Sequence, residues 1–464
     1  MRRAIPRFSN LAASLGITGL FAIGYPAEVR AQTIFCPATL PLTNGSCTNG
    51  VDGAFSGAAL ASQALSEVSE TTTQVTTREI GKAIVERREQ ERRRPVREPV
   101  RRAPREEKPK PAAVERKEPA PPPALLPIEP AFRFGTWTQV FGDYQKRDAA
   151  GPGTLTCCLL NLGGGGGVLG TSPADRALGG LGPLNQGLAL NIDSRASTVG
   201  FVAGADFTSR FSADAGFIGG LTAGYTWSEL KLNTTATSLD PNIGTGVSRL
   251  RATVSGPTVG LYGTYFNAGF SSDVTVKFDF LTVDETFNDL LATTHSTAQV
   301  PAFIPFAGAG SVSLLNSTVV GNLNYRFDLY PNFWIEPTVG VLYTNSSYGS
   351  GAAQLGLADG NLVRVQGGAR FGTSTFIGNG VLLTTTLTGL AYNDVLVQGG
   401  FIPVGALQGN NLLVQADQGF MRGQGILALN FDFGYGMSSF VQGDVYGGAH
   451  LLGGGGRAGI RYQW

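Results

Sequence analysis

Histidine, charge and long apolar runs are what this 464-residue chain has least of. Its two histidines, His295 and His450, lie far from all four cysteines, which removes the usual His/Cys pattern of a zinc site. His450 follows Asp444 closely, but a histidine in an exposed loop is the plain reading of it, rather than an acid–base partner. The glycine runs 163–167 and 453–456 lack the Lys-Ser/Thr of a phosphate-binding loop and read as loop segments. No nucleophile elbow is present. The sequence therefore offers no catalytic residue, no cofactor and no metal ligand, and the chain reads as a non-enzyme. Charged residues make up 15%, against the quarter usual in soluble domains. Beyond residue 25 no apolar run approaches eighteen residues, which excludes membrane-spanning helices.

What is present begins with an export signal. Arg2, Arg3 and Arg7 precede the uncharged apolar stretch Leu11 to Tyr25, and Val29-Arg30-Ala31 supplies small residues for cleavage before Gln32. Residues 1–31 read as a signal peptide, and an oxidising compartment follows. Cys36 and Cys47 flank a Pro/Asn/Gly-containing loop and are candidates for a disulfide. Cys157 and Cys158 are neighbours, where a bond is strained.

The remainder falls into three pieces: 32–94, 95–130 and 131–464. In the first, Ala58, Ala61, Leu65, Val68 and Val75 recur at three- and four-residue steps before the charged run Glu86 to Arg94, which predicts a solvated helical segment, with a coiled coil as the other reading. Residues 95–130 hold eleven prolines among Arg, Lys and Glu. Such a stretch buries no core and stays extended, so it reads as a linker reaching on the order of 100 Å at ~3.1 Å per residue. A spacer kept soluble by charge is the first reading of it, and contact with an anionic cell-wall polymer the second. The basic excess of the chain lies in residues 1–130 and an acidic excess in 131–464, so nothing in the larger piece suggests nucleic acid.

From Ala131 onward the period becomes two. Val319, Gly321, Leu323, Tyr325, Phe327 and Leu329 alternate with Asn322, Asn324, Arg326 and Asp328, and Val274, Val276 and Phe278 with Thr275, Lys277 and Asp279. Alternation is shared with soluble sandwiches, so connection lengths have to decide. Strands are predicted near 132–147, 192–207, 213–232, 250–266, 269–287, 311–329, 332–348, 361–376, 380–397, 419–434, 437–448 and 455–464. The joins between them alternate long and short, except that the last, 449–454, is modest. An even count with that alternation is the pattern of a bacterial outer-membrane barrel. The predicted fold class is thus all-β: a 12-stranded antiparallel transmembrane β-barrel preceded by a signal peptide, a helical segment and a Pro-rich charged linker. Lipid provides no hydrogen-bond partners, so such a sheet closes on itself. Lys277, Asp279, Arg326, Asp328, Glu336, Arg364, Arg370, Asp432, Asp444, Arg457 and Arg461 are then expected to face the lumen. Trp137, Tyr225, Trp227, Tyr265, Phe333, Tyr343, Tyr462 and Trp464 are expected to form interfacial girdles.

The last eight residues, RAGIRYQW, resemble the C-terminal signal of outer-membrane proteins through Arg457, Gly459, Tyr462 and Trp464. The resemblance implies recognition of that strand by the outer-membrane assembly machinery. Residues 131–464 as a whole resemble the translocator domain of autotransporters (type V secretion). The passages that carry it are FVAGADF (201–207), GGLTAGYTWSE (219–229), Tyr325 to Phe327 with Glu336-Pro337, and GGARFG (367–372). It implies twelve strands, an outer-membrane location and a role as translocator or surface protein. A porin-like channel and an adhesin acting on surface ligands through its long loops stay open beside it. Two features depart from the family. Residues 32–130 are too short and too charged for a β-helical passenger. Pro119 to Pro130 also stand where the family threads a helix through the pore, so a helical plug has to come from 51–94, or else the plug is an extended strand of linker.

Overall fold

The computed structural model describes the two-residue strands Leu42–Thr43 and Ser46–Cys47, and then residues 58–93. From 132 onward it describes all but 157–184, 239–245, 293–302, 402–419 and five single positions in turns and joins. Among the described residues one long helix, α1 (Ala58–Arg93), precedes twelve long strands. These are β1 (Phe132–Thr156), β2 (Asn185–Arg210), β3 (Ala215–Ser238), β4 (Gly246–Asn267), β5 (Phe270–Ala292) and β6 (Phe303–Tyr325, resuming as Phe327–Tyr330). The others are β7 (Phe333–Tyr348), β8 (Leu357–Ile377), β9 (Val381–Phe401), β10 (Arg422–Gly434), β11 (Met437–Gly448) and β12 (Leu451–Gln463).

Every strand pairs antiparallel with its sequence neighbours, and β12 pairs with β1 from Leu451↔Arg147 to Gln463↔Gly135. The sheet is therefore a closed barrel with no free edge, the one way a sheet satisfies its backbone groups in lipid. Polarity runs opposite to a soluble core. Val319, Leu323, Tyr325, Phe327 and Leu329 are exposed on the outside, while Asn316, Thr318 and Asn324 on the same strand are buried inside. An apolar exterior around a polar interior is favourable only where the outer medium is itself apolar. The barrel is transmembrane. No helix among the described residues is long and apolar enough to cross a membrane, so strands do the crossing.

The strands outrun their predicted ends on one side of the barrel. β1 and β2 continue to Thr156 and Asn185, well beyond 147 and 192, as one paired ribbon. Joins on the opposite side are short: 211–214, Ala268-Gly269, 331–332, 378–380 and Tyr435-Gly436. Ala268 and Tyr435 take left-handed backbone conformations there, φ 49° and 52°, as tight turns demand. The two ends are called below the loop end and the turn end.

One part of the long/short pattern differs. The predicted 449–454 loop is a two-residue turn, and Gly453 to Gly456 lie within β12. Their reason is room. A Cβ on Gly453 would come within 2.3 Å of the Tyr446 ring. The same fitting of a lumenal ring over a glycine of the next strand recurs for Trp137 on Gly204, Tyr262 on Gly220, Trp334 on Gly372 and Phe440 on Gly459. Much of the glycine in this chain thus seats aromatics that turn inward. Trp137 is one of them, 3% exposed, and so is not part of an interfacial girdle. Tyr225, Trp227, Tyr265, Phe333, Tyr343, Tyr462 and Trp464 do face outward.

Candidate functional site

The lumen is occupied. α1 is buried inside the barrel, with Leu65, Val68, Ile80 and Ile84 at most 1% exposed and Arg87 and Arg88 fully covered. The reading of 51–94 as a solvated helix is corrected: the run from Glu86 is charged because it meets a charged wall, rather than because it meets water. Val75, Ile80, Ala83 and Ile84 pack on Trp137, Phe141, Val202, Ile218, Tyr262 and Phe266, so the helix lies against β1 to β4. Gly400 (φ 82°) allows its upper part to approach the opposite wall, since a Cβ there would stand 2.2 Å from Ser66 Oγ.

Polar contacts fix the helix along its length. At the loop end Arg147 Nε donates to Glu67 at 2.7 Å. Lower, Thr72 bonds Ser228 at 2.7 Å, and Lys277 donates to the Thr73 carbonyl at 2.9 Å, to Thr76 and to Asp279. At mid-height Arg78 meets Asp143 at 2.6 Å and Asp444 at 3.3 Å, and Lys82 reaches Asp444 at 2.9 Å. Arg457 holds Glu86 at 2.5 Å and Gln139 at 2.6 Å, while Arg461 donates to the Ala83 carbonyl at 3.0 Å. Near the turn end Arg87 pairs with Asp206 at 2.8 Å and with Glu91. Arg88, Arg92 and Arg370 converge on Glu336, Arg92 and Arg370 each at 2.8 Å. Arg326 reaches Glu89 at 2.8 Å and lies over the Trp334 ring at 4.6 Å.

These contacts give α1 a direction. Its N-terminal part, with Glu67, meets a basic wall at the loop end, whereas Arg78 to Arg92 chiefly meet carboxylates toward the turn end. Arg92 and Arg93 in the last turn also suit the helix dipole. A reversed helix would set Glu67 toward Glu336 and Arg88 toward Arg147, like facing like.

Of the residues expected to face the lumen, Lys277, Asp279, Glu336, Asp444, Arg457 and Arg461 are buried there, and Arg326, Arg364 and Arg370 are largely covered. Arg364 pairs bidentately with Asp394 and stacks on Tyr392 at 4.4 Å. Asp394 shares the inward parity of Thr388 and Tyr392, and a bulge at Val395, just beyond it, shifts the strand so that Val397 turns inward. One expectation needs correction. Asp328 is exposed at the turn end, where it pairs with Arg326 and where β6, still bonded to β7, has run past the end of β5. Asp432 does keep inward parity, half-buried at the turn-end mouth of the lumen beside Gln90 and Ser438. The sequence reading missed Asp143, Asp206, Asp273, Asp394 and Arg422, although the same period-two parity points each of them inward.

In the C-terminal signal, Arg457 points inward and Tyr462 and Trp464 stack outside with ring centroids 5.8 Å apart. Gly459 lies under Phe440, and Trp464 exchanges backbone hydrogen bonds with Phe134 at 3.0 and 3.2 Å. His450 is exposed at a turn (φ 60°), whereas Asp444 is buried on Arg78 and Lys82, so the two do not form a site. Cys36, Cys157, Cys158 and His295 lie outside the described residues. No group of metal-ligating side chains is found among the described residues.

No protein-family model matches the sequence, and no curated protein does. Solved structures similar to the chain include the β-domain of the Bordetella autotransporter BrkA, at 14% identity over 71% of this chain and 98% of that one, TM-score 0.38. The transport unit of the autotransporter AIDA-I from Escherichia coli is similar at 12% identity over 71% and 90%, TM-score 0.37. The Pseudomonas putida toluene transporter TodX is similar at 9% identity over 72% and 89%, TM-score 0.32.

Proposed function

We propose that the chain is an outer-membrane translocator of the autotransporter type, whose own N-terminal segment passes through its pore. The observation that carries this reading is the direction of α1. Its N-terminus lies at the loop end and its C-terminus at the turn end, where β1 also begins. If the short turns face the periplasm, as export from inside requires of such a barrel, then residues 32–57 leave the lumen at the cell surface. Residues 95–130 then return from the helix to β1 on the periplasmic side, a spacer within reach of cell-wall polymer. Residues 1–31 serve as the export signal. The strand carrying Arg457, Gly459, Tyr462 and Trp464 serves as the handle for the assembly machinery, and lipid surrounds the outer face. With so short an exported segment, the protein works as a surface-displaying barrel rather than as a carrier of a large domain.

The test is an epitope placed beside Thr48 in the full chain, followed by protease treatment of intact cells. Loss of the tag is the expected result. A tag protected until the outer membrane is opened would place the arm in the periplasm and end the translocator reading.

A further inference from the structure

Toward the loop end, the outer face of the barrel carries a row of positive charge. Strand register sets Lys146 of β1 directly opposite Arg195 of β2, Arg195 opposite Lys231 of β3, and Lys231 opposite Arg251 of β4. Leu452 of β12 and Thr286 of β5 end the row on its two sides. All four cations point outward, their side chains 40% to 65% exposed. Arg249, the next outward residue along β4, is exposed as well. Among the described residues of the barrel, these five are all the lysines and arginines that the outer face carries, and they lie on four adjacent strands.

Like charges directly opposite each other in a sheet repel, so the row is destabilising by itself. Relief within the chain is partial. Lys146 pairs with Asp148 at 2.9 Å and Arg195 with Asp193 at 2.8 Å, while Glu229 is shared by Lys231 at 3.4 Å and Arg251 at 2.6 Å. Four cations thus divide three carboxylates, and exposed pairs of this kind offset little. The height of the row points to its partner. Tyr144, Val199 and Trp227, two to four residues nearer the turn end on the same strands, are exposed on the outer face. Aromatics at such a change from apolar to polar mark the membrane interface. Four residues of strand are ~13 Å, and long cationic side chains bend back over such a distance toward headgroups.

We propose that Lys146, Arg195, Lys231 and Arg251 form a binding site for a phosphorylated glycolipid headgroup of the outer leaflet, one that bears two phosphates. Neighbouring strands lie ~4.8 Å apart, so the row is ~14 Å long, more than one phosphate spans. Each phosphate sits between two neighbouring cations and replaces their repulsion with charge-assisted hydrogen bonds, bidentate where arginine donates. The lipid then holds the β1 to β4 side of the barrel, and the opposite side has no outward cation to do the same. The site rests on the loop end facing the outer leaflet, as in the reading above, but not on export of residues 32–57.

The test uses the full chain folded in neutral detergent micelles, where neither membrane orientation nor export enters. It is titrated with fluorescent bisphosphorylated lipid A and with the same lipid stripped of its phosphates. The parent should bind the first saturably, more weakly as KCl rises, and the second about tenfold less well. Changing Lys146, Arg195, Lys231 and Arg251 together to Gln should lower binding of the phosphorylated lipid by a similar factor. The milder pair Arg195→Gln with Lys231→Gln should lower it severalfold. Asp148→Asn with Asp193→Asn removes competing carboxylates and should tighten it. Folding of each variant is checked by its resistance to unfolding in unheated detergent. Folded glutamine variants that bind as the parent does would overturn the proposal, as would equal binding of the stripped lipid. Displacement of lipid A by soluble polyglutamate at matched charge would assign the row to an acidic macromolecule and overturn it too.

Discussion

Glu336 shows how much of this lumen rests on single side chains. It is fully buried and receives Arg88, Arg92 and Arg370 together. Removing one partner of a buried ion cluster leaves the others uncompensated in a medium that cannot solvate them, at about 3–5 kcal/mol. Glu336→Ala should therefore lower the midpoint of denaturant unfolding in micelles, and Glu336→Gln should do so by less, because its amide oxygen still accepts. Equal midpoints for Glu336→Ala and the parent would show that the three guanidinium groups are satisfied by other partners. The glycines beneath Trp137, Tyr262 and Trp334 belong to this scale too. Each is a glycine because a ring occupies the space a side chain would take.

At the scale of the element, α1 is held by complementary charge as much as by its apolar stripe. Arg78 and Lys82 sit between Asp143 and Asp444, and reversing them sets four carboxylates in one buried place. Arg78→Glu with Lys82→Glu should unseat the helix, and Asp143→Lys with Asp444→Lys should return it. The measurement is protease protection of residues 58–93 in the folded, detergent-solubilised protein. Protection that persists in the helix variant alone would mean that packing on the aromatic wall suffices. The final hairpin is another lesson of this scale. The run Gly453 to Gly456 looks like a loop by composition, yet it is a strand because β11 supplies Tyr446 and β1 supplies Asp143 against it.

At the scale of the whole molecule, the outward face defines the environment. Val441 lies near the middle of the twelve-residue strand β11 and is 53% exposed. An arginine on the lipid face at mid-depth costs about 2–4 kcal/mol, falling toward the interfaces. Val441→Arg should lower stability in lipid vesicles by that order, while the same change at Tyr435, on the turn, should leave it nearly unaltered. Equal effects at the two positions would argue against a bilayer around the barrel.

Several features were legible in the residues alone. Strand alternation gave the count of twelve, the inward parity of Lys277, Asp279 and Arg457, and the helical character of the stripe Leu65, Val68 and Val75. These depend on local periodicity, which any stretch of ten residues carries within itself. Other features were settled only when distant segments met. That α1 lies in the lumen follows from Arg87 finding Asp206 and Arg88 finding Glu336, pairs far apart in sequence that no local window joins. Trp137 turns inward because Gly204 makes room for it, and Val397 does so because a bulge at Val395 shifts its strand by one. Sequence determined which residues are polar and how they alternate. The closed barrel decided which charge faces which, and so which way the helix runs.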